Sequence, residues 1–251
     1  MNKKWMGLFK VGLAVMALTC IATAQEEKQP DQWQFGVAPY AWFTTIEGNM
    51  NMGLPGVEVS PDDLLSNLEL GALVSGEARY NRWLVMLDVV YLKASGNDKV
   101  YDGTLASVDA ELDVESWTVD LYSGYNAVQS EKLILDAVVG LRYFSMANDL
   151  TLKGSLGVLP PGTYSDTAEL LNGVVGVRGA VLLGKQWFLP YHLDAGAGDA
   201  QFTWQGMAGV GYSFNWLELI AAYRYLSFDV DGGTMDSMTI SGPILGLKFV
   251  F

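Results

Sequence analysis

The stretch FTWQGMAGVGYSF, residues 202–214, alternates between two kinds of residue along its whole length. Neighbouring residues of a β-strand point to opposite faces, so this alternation predicts a strand with two different faces. One face has aromatic residues at both ends and small or aliphatic residues between them, while the other is polar or small. This order favours a membrane-crossing strand, because aromatic side chains prefer the headgroup regions and aliphatic ones the acyl chains. The oily face comprises Phe202, Trp204, Gly206, Ala208, Val210, Tyr212 and Phe214.

The same alternation recurs in three further segments, again with aromatic residues toward the ends of the apolar face. A soluble β-sandwich, the main structural alternative, offers no reason for this placement of aromatic residues. The sequence therefore predicts an all-β fold, a transmembrane antiparallel up-and-down β-barrel. The further apolar faces are Trp83, Val85, Leu87, Val89 and Tyr91; Trp187, Leu189, Tyr191, Leu193 and Ala195; and Leu245, Leu247, Phe249 and Phe251.

Tight turns and longer connections alternate along the chain, as expected for a barrel with short periplasmic turns and variable outer loops. Four turns and five outer connections predict ten strands with both chain ends in the periplasm, although eight or twelve strands also fit the pattern. The turns are predicted at 81–82, 128–131, 184–185 and Asn215. The outer connections are predicted at 47–67, 96–107, 153–165, 198–201 and 231–236.

The first outer connection contains SPDDLLSNL, residues 60–68, which predicts a short helix. Ser60 is a favourable N-cap residue, and Pro61 suits the first helical position. The two aspartates that follow lie at the positive end of the helix dipole. Two interpretations remain open: the helix orders a long loop, or it lies over or enters the barrel mouth.

The first residues are typical of a secretory signal peptide. Lys3 and Lys4 precede an apolar run over residues 11–21, and the small residues ATA follow at 22–24. We therefore expect a cleaved signal peptide, residues 1–24, and an outer-membrane β-barrel, residues 25–251, exported through the inner membrane. Lipid attachment at Cys20 is the weaker alternative, because Thr19 matches the small-residue box poorly.

Composition argues against two classes of protein. The 251 residues carry 15 basic and 28 acidic side chains, and half of the residues are hydrophobic. Cleavage after residue 24 removes three lysines and leaves 12 − 28 = −16 charges, which argues against nucleic acid as a partner. Beyond residue 21 no apolar run approaches the roughly 20 residues of a transmembrane helix, so a helical inner-membrane protein is not expected.

If the oily faces point outward, the opposite faces line the lumen, and they carry charges of both signs. A lone buried charge is costly, so we expect these charges to pair with one another and fill a narrow barrel. The alternative is a narrow polar conduit or a small-ligand site, and barrel width decides between them. The predicted lumen charges are Glu77, Arg79, Asp88, Asp120, Asp136, Arg142, Arg178, His192, Asp194, Glu218, Arg224 and Lys248.

His192 and Asp194 lie two apart on one strand face, a spacing that lets a carboxylate orient an imidazole for general-base catalysis. Omptin proteases, ten-stranded outer-membrane barrels, also pair His with Asp. No serine or second acidic pair stands beside these residues at a recognisable spacing, so we expect no enzyme, no catalytic residue and no cofactor. The run DAGAGD, residues 194–199, lacks the ligand spacing of an EF-hand, so no metal site is predicted, and its glycines are expected to allow close packing.

The last strand alternates and closes on Phe249 and Phe251, which resembles the terminal signature that barrel-assembly machinery reads in outer-membrane proteins. Four segments resemble a widespread family of small, uncharacterised Gram-negative outer-membrane β-barrel proteins. The resemblance implies a single barrel in the cell outer membrane and no known activity. The sequence departs from the family pattern at His192, so no family-wide role is implied for it. The segments are VAPYAWFTTIEGNM (37–50), WFLPYHLDAGAGDAQFTWQGMAGVGYSF (187–214), AAYRYLSFDVDGG (221–233) and SGPILGLKFVF (241–251).

Acidic residues are dense in the predicted outer connections, next to the position of lipopolysaccharide phosphates. We expect contact with outer-membrane lipids and lipopolysaccharide, with divalent cations bridging carboxylates and phosphates. The alternative is a solvated acidic surface. The residues are Asp98, Asp102, Asp109, Glu111, Asp113, Asp229, Asp231 and Asp236.

Three functions remain open. The first is a non-catalytic barrel that contributes to envelope integrity or presents loops, because a filled polar interior needs no further purpose. The second is a narrow channel or small-solute transporter, and the third is an envelope enzyme that uses His192 and Asp194. Fold alone does not choose among them.

Overall fold

The computed structural model describes residues 32–50, 57–59, 68–103, 106–153, 162–230 and 235–251. Within these residues no helix is long and apolar enough to cross a membrane. The predicted signal peptide and the predicted helix at 60–68 lie outside the described residues, apart from Leu68. The strands are β1 (Trp33–Trp42), β2 (Thr45–Met50), β3 (Val57–Val59), β4 (Leu68–Tyr80), β5 (Trp83–Gly103), β6 (Ala106–Gln129), β7 (Leu133–Lys153), β8 (Gly162–Leu182), β9 (Trp187–Gly198), β10 (Phe202–Ser213), β11 (Leu217–Asp229) and β12 (Met235–Val250).

The strands form one closed antiparallel sheet. From β4 to β12 each strand pairs with the next in the chain, and β1 closes the circle by pairing with both β4 and β12. The register of β1 against β12 continues into β2, because Trp42 pairs with Ile244 and Thr45 with Ser241. Strands β1 and β2 therefore act as one continuous barrel strand, and β3 pairs with β2 as a short hairpin strand. The result is the predicted ten-stranded up-and-down barrel.

The tight turns lie within two residues of their predicted positions, at 81–82, 130–132, 183–186 and 214–216. Three outer connections differ from the prediction in extent. The predicted connection 47–67 contains strand, because β2 continues to Met50 and β3 pairs with β2. Strand β5 continues to Gly103 and β6 begins at Ala106, while β7 continues to Lys153 and β8 begins at Gly162. The polar composition of 96–107 and 153–165 suggested loops, but main-chain hydrogen bonds hold antiparallel strands together, so a polar segment can continue a hairpin.

The outer wall is apolar and the interior buries charged side chains, whereas a soluble barrel has a polar outer wall. Large apolar side chains such as Leu87, Leu121 and Leu141 are exposed on the outside. Two aromatic pairs bracket this belt on neighbouring strands: Trp83 contacts Tyr125 near the turns, and Tyr91 contacts Trp117 on the other side. Eight residues separate the two levels, about 26 Å of strand at roughly 3.3 Å per residue. This spacing matches the apolar band and aromatic girdles of a membrane-spanning barrel.

The interior is filled in layers, which strand β7 shows most clearly. Its lumen-facing residues run from Asp136 through Val138 and Arg142 to Phe144, all buried. Val138 belongs to an inner apolar layer with Leu84, Met86, Tyr122 and Val174. Phe144 belongs to an outer apolar layer with Trp42, Val90, Ala200, Ala222, Leu226, Phe228, Met238, Ile240 and Ile244.

Lumen-facing glycines make room for the large side chains of these layers. Gly211 of β10 is the register partner of Phe188 on the neighbouring strand β9, and a Cβ at Gly211 would overlap the Phe188 ring. Likewise, a Cβ at Gly140 would lie 2.7 Å from Cδ1 of Tyr122, its partner on β6. These positions use glycine for close packing, as the sequence predicts for the glycines of β9.

The C-terminal residues of β12 lie at the seam that closes the barrel. Phe251 exchanges two backbone hydrogen bonds with Phe35, at 2.8 and 3.0 Å, and the two rings stack. Phe249 stacks on Trp216. The two residues of the predicted assembly signal thus belong to the aromatic girdle at the turn end of the barrel.

Candidate functional site

The centre of the barrel is a charged layer built around Arg142 of β7. The Arg142 side chain has no exposed surface, and its Nε donates to Asp120 at 2.9 Å. Its Nη2 donates to Asp194 at 3.0 Å and to the Tyr122 hydroxyl at 2.8 Å, while Nη1 donates to Thr203 at 3.3 Å. One guanidinium therefore ties β6, β7, β9 and β10 together across the lumen.

Arg224 of β11 plays the matching part on the other side of this layer. It donates to Asp88 at 2.7 Å, to Asp120 at 3.2 Å and to the Gln205 side chain at 2.8 Å. The guanidinium also lies 4.7 Å from the ring centre of Trp42, a cation–π contact. Asp120 accepts from both arginines, so the two halves of the layer form one connected network that spans the barrel.

His192 and Asp194 lie inside this network and not at the outer mouth. His192 Nε2 lies 2.9 Å from Asp194 Oδ2, without the alignment of a hydrogen bond. The same carboxylate oxygen accepts from Tyr122 at 2.8 Å as well as from Arg142. Both side chains are buried, and the carboxylate is held by several donors, as expected for a structural ion pair.

A second charged layer lies closer to the turns and is organised by Glu77 of β4. Three cations reach this carboxylate: Arg178 at 2.9 Å, Lys248 at 2.8 Å and Arg79 at 3.5 Å. Arg79 also donates two hydrogen bonds to the Asp136 carboxylate, at 2.6 and 3.2 Å. Six of the twelve predicted lumen charges meet in this layer: Glu77, Arg79, Asp136, Arg178, Glu218 and Lys248.

Eleven of the twelve predicted lumen charges, the Asp, Glu, Arg and Lys residues, thus take part in ion pairs divided between the two layers, and His192 contacts Asp194. The neutral groups that complete the hydrogen bonding were not among the predicted lumen residues. Each of them has the lumen-facing parity of its strand, so the alternation itself was the signal that could have found them. They are Tyr40, Tyr122, Asn126, Thr203 and Gln205.

The layers close the lumen. Arg142 and Asp120 are almost entirely inaccessible to water in the middle layer, and so are Leu84 and Tyr122 below it and Leu226 above it. A continuous water path requires exposed surface at every level of the lumen, and these levels offer almost none. Among the described residues, no group of three or more His, Cys, Asp or Glu side chains is arranged to hold a metal ion.

We expect Glu77→Gln to lower the free energy of unfolding by about 2–3 kcal/mol, because three clustered cations lose their shared carboxylate. Glu218→Gln is the matched control: it removes a single contact of 3.7 Å to Lys248 from a more exposed position. This control should cost about 1 kcal/mol or less. Urea unfolding in lipid vesicles, followed by tryptophan fluorescence, measures both, and equal losses would show that Glu77 does not organise the layer.

Comparisons with known proteins point to the same fold. No protein-family model matches the sequence, and no curated protein sequence matches it. The outer membrane protease OmpT from Escherichia coli has a similar structure, with a TM-score of 0.52, 9% identity, and coverage of 92% of this chain and 100% of OmpT. The translocator domain of the autotransporter NalP from Neisseria meningitidis follows, with a TM-score of 0.45, 14% identity and 96% coverage of each chain. At 9% identity the likeness to OmpT shows the outer-membrane β-barrel fold alone.

Proposed function

We propose that this protein is a non-catalytic integral outer-membrane barrel with a sealed interior that serves as a rigid carrier of its outer hairpins. The observation that carries the proposal is the buried, fully paired Arg142 at the centre of the lumen. A guanidinium without exposed surface, bonded to four partners, fills the space that a solute would need. The apolar layers on either side of it add two further barriers to ions.

The alternative of a narrow channel gains no support from this arrangement. A selective pore needs charges that face water and bind a passing ion weakly. Here Asp88 and Asp120 are each neutralised by arginine at 2.7–3.2 Å, and both are buried. Paired charges of this kind are the expected way to fill a narrow barrel.

The enzyme alternative fares no better. A catalytic His–Asp pair must reach its substrate, and the base needs its proton-accepting nitrogen within hydrogen-bond distance of the reacting group. His192 is buried beneath the outer apolar layer, and the Tyr122 ring packs edge-on against it at 5.1 Å. This environment supports a structural role for both residues.

Conductance measurements on refolded residues 25–251 in planar bilayers test the proposal. We expect no discrete openings from the natural protein or from Arg142→Ala, because the apolar layers above and below remain closed in the variant. Folding is verified by heat-modifiable migration on gels, and a general porin in the same bilayer verifies detection. Steady openings whose size changes in Arg142→Ala would show a channel and overturn the sealed-barrel proposal.

Two expected partners remain predictions. Divalent bridging to lipopolysaccharide was expected for a set of acidic residues of which the structure describes the side chains of Asp113 and Asp229 alone; both are at least partly exposed. Recognition by the barrel-assembly machinery was expected for Phe249 and Phe251. Phe251 is 71% exposed at the turn end, which keeps its ring available to a partner during assembly.

A further inference from the structure

Four neighbouring strands are much longer than a membrane crossing requires. Strands β5 to β8 have 21, 24, 21 and 21 residues, whereas about 9–11 residues cross the apolar core. Past the outer girdle pair, Tyr91 and Trp117, pairing continues for eleven residues of β6 against β5 and for eight against β7. Strands β7 and β8 pair for seven residues past Ser145, so the extension is about 23–36 Å of strand. Strands β9 and β10 instead join through 199–201, close to the girdle residue Trp204. We call the extension of β5–β8 beyond the girdle the raised sheet.

The raised sheet ends on one side in an edge formed by β8. Within the described part of the chain, β9 pairs with β8 only up to Asn172 opposite Gly198, and residues 162–170 pair with β7 alone. The last contact to the β9 side is made by Leu171, whose N–H donates to the Asp199 carboxylate and whose carbonyl accepts from the Asp199 N–H.

Backbone alternation fixes which groups of this edge are offered to a partner. Residues of an antiparallel strand bond in turn to one neighbour and then to the other. Since Leu171 bonds toward the β9 side, Thr163, Ser165, Thr167 and Glu169 also direct their N–H and C=O groups there. Their side chains are all exposed. The edge therefore offers four residues in the spacing that a further β-strand requires.

This edge lacks several of the devices that proteins use to prevent edge pairing. Residues 162–170, GTYSDTAEL, contain no proline and no lysine. The pairing of β7 with β8 shows no β-bulge over its twenty residue pairs. Charge of one sign remains as protection, from Asp166 and Glu169, so this edge disfavours an acidic strand and stays a template for a basic one.

Charge indicates what kind of strand fits. In the sequence, residues 92–116 and 144–170 carry nine acidic and three basic side chains, so 3 − 9 = −6 charges. Glu115, Asp149 and Glu169 are exposed, and each lies at an outward-facing position of its strand. Glu169 belongs to the edge strand β8 itself. A second copy of this chain would bring a sheet of the same sign, whereas a basic segment would be complementary.

We propose that the β8 edge binds an extended basic segment of a partner protein as an additional β-strand. The main chain supplies affinity through the offered N–H and C=O groups, and the acidic outward face selects lysine or arginine on alternate positions. This inference rests on the proposed role of the barrel as a carrier of its outer hairpins, and it adds the site and the class of partner.

Binding of labelled nine-residue peptides to the refolded barrel in phosphatidylcholine vesicles tests the proposal. The probe is KVKTKVKTK, its acidic counterpart is EVETEVETE, and empty vesicles give the background. We expect the basic peptide to bind and to weaken with added salt, and the acidic peptide to bind at least about tenfold more weakly. Absence of basic-peptide binding, or equal binding of both, would overturn the proposal.

The variant Thr167→Pro locates the site, because proline removes one N–H of the edge without touching a bond to β7. We expect it to weaken the basic peptide about tenfold, while Thr167→Val, which keeps the N–H, binds like the natural protein. Equal binding of the basic peptide to Thr167→Pro and to the natural protein would contradict the assignment of the site to the β8 edge. Self-association of the natural protein that Thr167→Pro abolishes would also contradict it, because the edge would then bind a second copy of this chain. If the peptides do not bind and the planar bilayer shows no conductance, this inference is contradicted while the sealed-barrel proposal is not.

Discussion

Replacement of Arg142 by methionine is expected to lower the free energy of unfolding by about 3–5 kcal/mol. The change removes the guanidinium that lies 3.0 Å from the Asp194 carboxylate, and one of the two arginines that hold Asp120. Both carboxylates remain buried, and a buried charge that loses its partner keeps the full cost of desolvation. Methionine fills much of the volume, so the loss reports charge more than packing.

A double-mutant cycle with Asp194→Asn separates the charge effect from packing. In the natural background Asp194→Asn should destabilise, because Arg142 loses a carboxylate at 3.0 Å. In the Arg142→Met background the same change should restore part of the loss, since it neutralises the stranded charge. Urea unfolding in vesicles measures all four proteins. Additive losses would contradict the coupled network that the structure shows.

The side on which each residue lies could be predicted from the sequence, because a period of two leaves no other choice once one face is known. The charges from Glu77 to Lys248 were found in this way, and the structure places them all inside. The aromatic position near residue 42 could not be fixed by the same rule. Trp42 and Phe43 are adjacent aromatic residues of opposite parity, and either is a suitable girdle residue by type. Trp42 lies in the lumen over Arg224 and donates its indole N–H to the Gly242 carbonyl at 3.2 Å.

The identity of each ion pair was beyond the sequence. Asp120 and Arg142 are register partners on adjacent strands, but Arg142 also reaches Asp194, two strands away. Such contacts depend on the tilt and stagger with which the strands close, which alternation does not encode. Asp88 similarly meets Arg224 from across the lumen. Strand length past the girdle was missed for another reason, since polar hairpins and polar loops have the same composition.

The membrane assignment of the outer wall makes an equally direct prediction. Leu121 pairs with Leu87 midway between the two girdle levels, and both side chains are exposed on the outside. An arginine at this depth must be drawn out of the acyl chains or carry water with it, so we expect Leu121→Arg to lower the free energy of unfolding by about 2–4 kcal/mol. In a soluble barrel the same change would remove an exposed leucine at little cost.

Strand β6 provides a matched control for this variant. Glu115 has the same outward parity as Leu121 but lies beyond the girdle residue Trp117, where the side chain is exposed to water. Glu115→Arg removes the exposed hydrogen bond that the Trp117 indole donates to Glu115 at 3.2 Å, so it should change the unfolding free energy by about 1 kcal/mol or less. Both variants are measured by urea unfolding in vesicles of the same lipid, where tryptophan fluorescence reports folding. Equal effects at the two positions would contradict a lipid-facing belt on this side of the barrel. The polarity of a membrane changes with depth, so a membrane-facing strand must pay more for an arginine at Leu121 than at Glu115.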